Sequence, residues 1–297
     1  MRALIISMGS IGLRHYEVLS KMGIKAHAIS SQNIENITIY KDLHEVNLEI
    51  YDYFIIASAT HLHYEHLSYI DSKVSGKIIL CEKPLFDKFK PFSPNNQILI
   101  GYNLRFHPLI LKLKNMLKNE KILSIEARCG QYLPSWRNRD YTKSYSAYKE
   151  RGGGVLLDLS HEIDYIRFLC GFNLELIKGV QDKISNLNIT SDDISMILAR
   201  SNGALINISL NYLSKVANRQ IFVETNDNSY HLDLIANELK ITNKDGLTTL
   251  INEPNLDRNA LFMAMHADAL GLQKYICKLN EALDTMRLID QIQKDNR

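Results

Sequence analysis

The sequence predicts an α/β protein in two parts: a doubly wound parallel sheet over residues 1–106, then an α+β domain over 107–297 with a mostly antiparallel open sheet. Three observations predict it. Short apolar runs alternate with helical patterns through the first hundred residues, as in a parallel sheet with crossover helices. From about 174 to 251 the strand-like runs are separated by SNG, NDNS and KDG, which are hairpin punctuation. The chain has no internal repeat and no low-complexity tail, so its 297 residues suit two domains of ordinary size.

In chain order, ALIIS predicts the first strand, IGLRHYEVLSKMG a helix closed by Gly23, and KAHAIS a second strand. YDYFIIASA follows as a strong third strand, HYEHLSYIDSKV as a helix, and KIILCEKP and QILIGYN as the remaining strands. Past residue 106 the texture changes to a helix, PLILKLKNMLKNE, an alternating strand, LSIEARCGQYL, and the polar aromatic stretch SWRNRDYTKSYSAYKE. GGGVLLDLSHEIDY reads as one helix opened by glycines, which would let it start close beneath a ligand. ISMILARS, ALINISLNYL, RQIFVETN and SYHLDLIA are strands, and RNALFMAMHADALGLQKYICKL and EALDTMRLIDQIQK are helices.

Composition excludes several classes. Lys plus Arg number 35 against 33 Asp plus Glu, with signs interspersed, so there is no nucleic-acid footprint and no basic membrane-binding face. Cys81, Cys129, Cys170 and Cys277 form no C-x-x-C pair, which suits a reducing compartment and offers no zinc site. No apolar run reaches the roughly 20 residues of a membrane span. MRALIISMGSIGL lacks a small-residue cleavage site and runs into the charged RHYE, so the expected location is cytoplasmic.

SMGSIG, residues 7–12, sits between the first strand and first helix. In the dinucleotide (Rossmann) fingerprint G-x-G-x-x-G, glycines permit a tight turn and close approach of backbone to pyrophosphate at a helix N-terminus. Gly9 and Gly12 hold the second and third positions and Ser7 replaces the first. A purely steric glycine turn is the alternative. The second strand ends in Ser30 and Ser31 rather than the acid that grips the ribose of NAD, so NAD and NADP both stay open, with a lean to NADP.

Three more segments, ASATHLHYEH (57–66), CEKPL (81–85) and GYNLRFHP (101–108), follow predicted strands. Together with SMGSIG and GGGVLLD they resemble the Gfo/Idh/MocA family of oxidoreductases, which act on sugars and sugar derivatives with NAD or NADP. The resemblance implies Lys83 as the catalytic lysine, Glu82 and Pro84 as shapers of its turn, and a cofactor site from Ser7, Gly9, Ser10, Ile11, Gly12, Ser30, Ser31, Ala57, Ser58, Thr60, His63, Glu82 and Lys83. It also implies a sugar substrate and a homodimer or homotetramer built through the second-domain sheet. The residues read consistently with this: an ammonium at the carboxyl end of a parallel strand can stabilise a developing alkoxide. A surface lysine before a turn proline is the alternative. His61, His63 and His66 match no metal-ligand spacing, so no metal is expected.

On one helix, Asp158, His161 and Asp164 lie three apart on a face beside the apolar stripe, and flanking carboxylates fix an imidazole's tautomer. His161 could take the hydroxyl proton during hydride transfer while Asp158 orients it. The family commonly places its histidine four residues after the aspartate, where this chain has Glu162; a one-residue contraction carries the role to His161. Arg105, Trp136, Arg137 and Tyr145 are candidates for substrate binding, since guanidinium groups grip acids and aromatic faces stack on sugar rings. The expected function is NAD(P)-dependent oxidation or reduction of a sugar derivative, such as one for surface glycans. A dinucleotide- or sugar-binding sensor and a redox-neutral lyase or epimerase are the alternatives.

Overall fold

A computed structural model describes residues 1–136, 140–171 and 173–295. The chain divides into two compact units, residues Met1–Phe106 with Asp257–Asp284, and residues His107–Leu256 with Thr285–Arg297. The expectation of one domain over 107–297 is therefore corrected for residues Asp257–Asp284, which pack with the first unit. The reason is apolar: Phe262, Met265, Ala269 and Ile276 belong to the buried core that includes Ala3, Ile5, Val18, Tyr53 and Leu80.

The first unit contains β1 (Arg2–Ile6), α1 (Ser10–Lys21), β2 (Lys25–Ile29), β3 (Ile39–Tyr40), β4 (Tyr53–Ile56), α2 (His63–Lys73), β5 (Ile78–Cys81) and β6 (Gln97–Ile100). The second contains α3 (Pro108–Met116), β7 (Ile122–Gly130), α4 (Leu133–Trp136), α5 (Val155–Asp158), α6 (His161–Cys170), β8 (Glu175–Asp182), β9 (Ile194–Ser201), β10 (Ala204–Asn211), β11 (Asn218–Thr225), β12 (Asn228–Asp233), β13 (Glu238–Asn243) and β14 (Thr248–Asn252). The chain ends with α7 (Arg258–Ala269), β15 (Cys277–Lys278) and α8 (Leu279–Asp295).

The first sheet has the order β15-β6-β5-β4-β1-β2-β3. Strands β1 to β6 pair in parallel, and β15 adds to β6 antiparallel. Its central strands, RALII, YFII and IILC, are apolar almost throughout because helices cover both faces of a parallel sheet. The order reverses between β1 and β4, and such switch points open a crevice at the carboxyl ends of the strands. The second sheet runs β14-β13-β12-β11-β7-β10-β9-β8 and is antiparallel except where β10 joins β7. β9 and β10 alternate buried and exposed residues, so one face is packed and the other open. The predicted fold class is borne out.

Two helix predictions are revised. The run from 258 to 279 stops at Ala269, and its last residues become β15. GGGVLLDLSHEIDY is two helices, α5 and α6, because Leu159 leaves helical geometry at φ −99°, ψ 27°. Asp158 and His161 therefore do not share the face of one continuous helix.

Candidate functional site

In the first unit, Ser7 adopts φ 81°, the left-handed conformation that a glycine in its place would adopt without strain. Its backbone N–H donates to the Ile29 carbonyl at 3.1 Å, which ties the turn to β2. A Cβ on Gly12 would lie 2.0 Å from the Ser7 carbonyl oxygen, whereas one on Gly9 would meet nothing within 4 Å. Gly12 thus serves close turn-to-helix packing, and Gly9 faces open space. α1 begins with Gly9 as N-cap, no side-chain cap bond, and no acid in its first turn. An N-terminus without a side-chain cap or an acid is a condition that suits a phosphate.

Beside this turn a cavity of about 740 Å³ opens at the switch point, lined by Ser7, Gly9, Ser30, Ser31, Ser58 and Lys41 among others. Five predicted cofactor residues, Ser7, Gly9, Ser30, Ser31 and Ser58, line this one cavity. Ser10 and Ile11 are exposed on the first turn of α1, and Ala57 and the buried Thr60 flank Ser58 after β4. Lys41, Asp42, His44 and Tyr69 also line the cavity and were not anticipated. Only the pairing of β3 with β2 brings Lys41 there, and the two-residue β3 has no usable periodicity. Its ammonium donates to the Ser31 carbonyl at 3.1 Å and to Asn33 Oδ1 at 2.6 Å. The Arg14 guanidinium, one turn into α1, lies 5.5 Å from the centroid of the Phe262 ring.

His63, expected beside the cofactor, is buried and used as a strut. Its Nδ1 lies 3.0 Å from the Pro84 carbonyl and 3.2 Å from the Leu85 carbonyl, and Nε2 lies 3.0 Å from the Ser58 carbonyl. Burial pushes its pKa down, while these carbonyls favour the protonated ring. The strut links the turn after β4 to the turn that carries Lys83. Lys83 itself is half-buried just past the end of β5, and Glu82 beside it accepts from the Lys83 N–H at 3.3 Å. Arg105, expected to meet substrate, is 1% exposed and pairs with Glu281 at 2.7 Å, with a further bond to the Tyr275 carbonyl. A buried guanidinium needs that compensation, so Arg105 holds the first unit together.

In the second unit, Asp158 is buried at the end of α5 and accepts from the Tyr212 hydroxyl at 2.5 Å. Burial, then the neighbouring Asp158 charge, holds the Tyr212 phenol well above its ordinary pKa, so it stays a donor. Trp136 lies with its ring centroid 5.9 Å from that of Tyr212. Tyr145 sits in a 3-10 turn whose carbonyl would be 2.2 Å from a Cβ on Gly153. Gly154, at φ 120°, would place a Cβ 2.1 Å from Asp192 Oδ1. Crowding within this unit accounts for these two glycines, which corrects the expectation that they make room for a ligand. Arg137 lies outside the described residues.

His161 opens α6 and is half-buried, whereas Glu162 is fully buried and pairs with Arg219 Nε at 2.8 Å. Tyr165 also donates to Glu162 at 3.4 Å. The Glu162 carboxylate is thereby engaged in a core ion pair. No group of three or more His, Cys, Asp or Glu among the described residues could hold a metal ion. No helix among them is long and apolar enough to cross a membrane.

Residues 110–230 match the family model of the GFO/IDH/MocA C-terminal domain. An uncharacterized oxidoreductase of Bacillus subtilis (strain 168) is 26% identical over 188 residues, which are 56% of this chain and 53% of that protein. The match thus spans about half the length of that curated relative. Among solved structures, UDP-N-acetylglucosamine 3-dehydrogenase from Acidithiobacillus ferrooxidans superposes with a TM-score of 0.81 at 16% identity, covering 100% of this chain and 97% of that one. Levoglucosan dehydrogenase in complex with NADH and L-sorbose gives 0.83 at 16% identity, covering 99% and 96%. These solved structures share the fold. The family resemblance carried by the sequence motifs is borne out by the match over the second unit.

Proposed function

We propose that this chain is a cytoplasmic oxidoreductase of the Gfo/Idh/MocA family that moves a hydride between NAD or NADP and a hydroxyl or keto carbon of a sugar derivative; the match of residues 110–230 to the family's C-terminal domain supports the family. The observation that carries the reading is the cavity at the β1–β4 switch point, walled by the serines after β2 and bounded by a helix N-terminus without a side-chain cap. Ser7, Gly9 and the first N–H groups of α1 would hold the pyrophosphate, and Ser30, Ser31 and Lys41 the adenosine ribose. Lys41 supports the lean to NADP, because an ammonium beside two hydroxyls suits a 2′-phosphate.

A bound nicotinamide supplies the hydride acceptor or donor. Lys83 orients the substrate hydroxyl and stabilises negative charge on its oxygen, and His161 takes the proton that leaves as the hydride departs. Asp158, held by the Tyr212 hydroxyl at the end of α5, orients the imidazole or the substrate. Trp136 and Tyr145 offer aromatic faces for a sugar ring. The exposed apolar side chains Met196, Leu198 and Leu205 on the open face of the second sheet favour a homodimer or homotetramer assembled there.

The test is titration of NADH and NADPH by fluorescence and thermal shift, followed by turnover assays on free and nucleotide-activated sugars. Lys83→Ala is expected to keep dinucleotide binding and lose turnover. Absence of binding to either dinucleotide sinks the reading.

A further inference from the structure

Four groups of the first unit form a continuous buried chain that the mechanism above leaves unused. Tyr53 Oη lies 2.8 Å from His266 Nδ1, His266 Nε2 lies 2.8 Å from His15 Nδ1, and His15 Nε2 lies 3.1 Å from Glu82 Oε1. Tyr53, His15 and His266 are each 0% exposed, and the Glu82 side chain is 12% exposed. They come from β4, α1, α7 and the turn after β5, so residues more than 200 apart in sequence meet in one line.

Hydrogen-bond bookkeeping fixes the direction of this chain. Tyr53 Oη has no other partner among the described residues, so its O–H must donate to His266 Nδ1 or be left buried without an acceptor. His266 then carries its proton on Nε2 and donates to His15 Nδ1. His15 in turn carries its proton on Nε2 and donates to Glu82, which can only accept. Running the chain backwards, with Glu82 as donor, orphans the buried phenol hydrogen. A doubly protonated His15 does the same, because His266 would have to accept from it and donate to Tyr53. Burial independently holds His266 well below the ordinary imidazole pKa and Tyr53 well above the ordinary phenol pKa, so both stay neutral.

Glu82 is where the chain meets the candidate active site. One carboxylate oxygen accepts from His15, and the other accepts from the backbone N–H of Lys83 at 3.3 Å. The carboxylate fits because residue 101 is glycine: a Cβ there would lie 2.5 Å from Glu82 Oε1. We propose that the one-way chain Tyr53 to His266 to His15 to Glu82 is a positioning device that fixes the Glu82 carboxylate and, through it, the backbone turn presenting Lys83. The catalytic value of that positioning rests on the role assigned to Lys83 above; the chain itself does not. α7 therefore returns to the first unit for more than apolar packing, since it supplies the middle link.

The test needs neither dinucleotide nor substrate, so its failure and the failure of the proposed function are separable. In the full chain labelled with 15N-histidine, long-range 1H–15N correlation spectra at pH 7.5 should show His15 and His266 protonated at Nε2 and bare at Nδ1. A proton on Nδ1 of either ring overturns the proposal. Amide exchange at Lys83 is the second readout. His266→Phe, which breaks the chain, should speed it about tenfold, whereas His266→Gln, whose amide can accept from Tyr53 and donate to His15, should leave it within about twofold. Equal exchange in both variants, whether fast or slow, overturns the positioning role. If His266→Phe does not fold, the wild-type spectra and the exchange rate in His266→Gln still decide.

Discussion

Gly9 and Gly12 occupy one turn but differ in what a methyl group would meet, which separates ligand approach from packing. In Gly12→Ala the new carbon would lie 2.0 Å from the Ser7 carbonyl oxygen and 3.0 Å from its carbon. A carbon–oxygen contact needs about 3.3 Å, so the Ser7 carbonyl would have to retreat by about 1.3 Å. Ser7 already stands at φ 81° with its N–H bonded to Ile29, and the turn has little freedom to move. Overpacking of this kind costs about 1–3 kcal/mol of stability. Displacing the turn also misaligns the first N–H groups of α1; losing one charge-assisted bond to a phosphate costs about 1.5–3 kcal/mol, or about 10- to 100-fold in NADH affinity. In Gly9→Ala nothing lies within 4 Å of the new carbon, so the free protein should lose at most about 1 kcal/mol, from the poorer N-cap. Its NADH affinity should still fall, because the methyl group fills the space open to the pyrophosphate. Urea denaturation and NADH fluorescence titration of both variants check the pair. Wild-type affinity in Gly9→Ala, or undiminished stability in Gly12→Ala, would refute the reasoning.

Arg219→Met leaves the fully buried Glu162 without its ion-pair partner and should cost about 3–5 kcal/mol at pH 7.5. Urea denaturation of the variant checks this, and a loss under about 1 kcal/mol contradicts it. Burial pushes Asp192 up to about 6 from 3.8, so between about pH 4 and 6 the folded state binds more protons than the unfolded one. That contribution to stability is present at the acid end and lost as pH rises through 6. Asp192→Asn, which keeps an acceptor for the Leu156 N–H, should flatten the dependence in denaturation curves across this window. Lys41→Ala should weaken NADPH binding by about tenfold or more through loss of a charge-assisted bond while changing NADH much less. An equal effect on both dinucleotides in parallel titrations would remove Lys41 from the 2′-phosphate site.

Strands with strong local patterns were legible in the sequence. ALIIS, YDYFIIASA and KIILCEKP are apolar because strands between two helical layers must be, and Gly12 marks the tight turn from β1 into α1 because a Cβ there would lie 2.0 Å from the Ser7 carbonyl oxygen. The resemblance carried by EKP and GGG-x-x-x-D was legible for the same reason: these residues act within a few positions of one another. Glu162 shows the limit. Next to His161 it looked like a rival for the imidazole position, and only the distant β11 strand, bringing Arg219 to it, assigned it to the core. Arg105 looked like a substrate contact until Glu281 paired with it, and Lys41 carried no signal until β3 docked on β2. The chemical meaning of a charge depends on its nearest partner in space, which local pattern does not encode. The sequence by itself therefore determined the class of fold, the glycine turn after β1 and the EKP turn after β5, all built from local backbone demands. The tertiary structure alone decided which polar side chains face a cavity, which are spent on buried partners, and that His15, His266 and Tyr53 form a line ending at Glu82. Those roles arise from long-range packing that satisfies buried donors and acceptors, and no local sequence pattern records it.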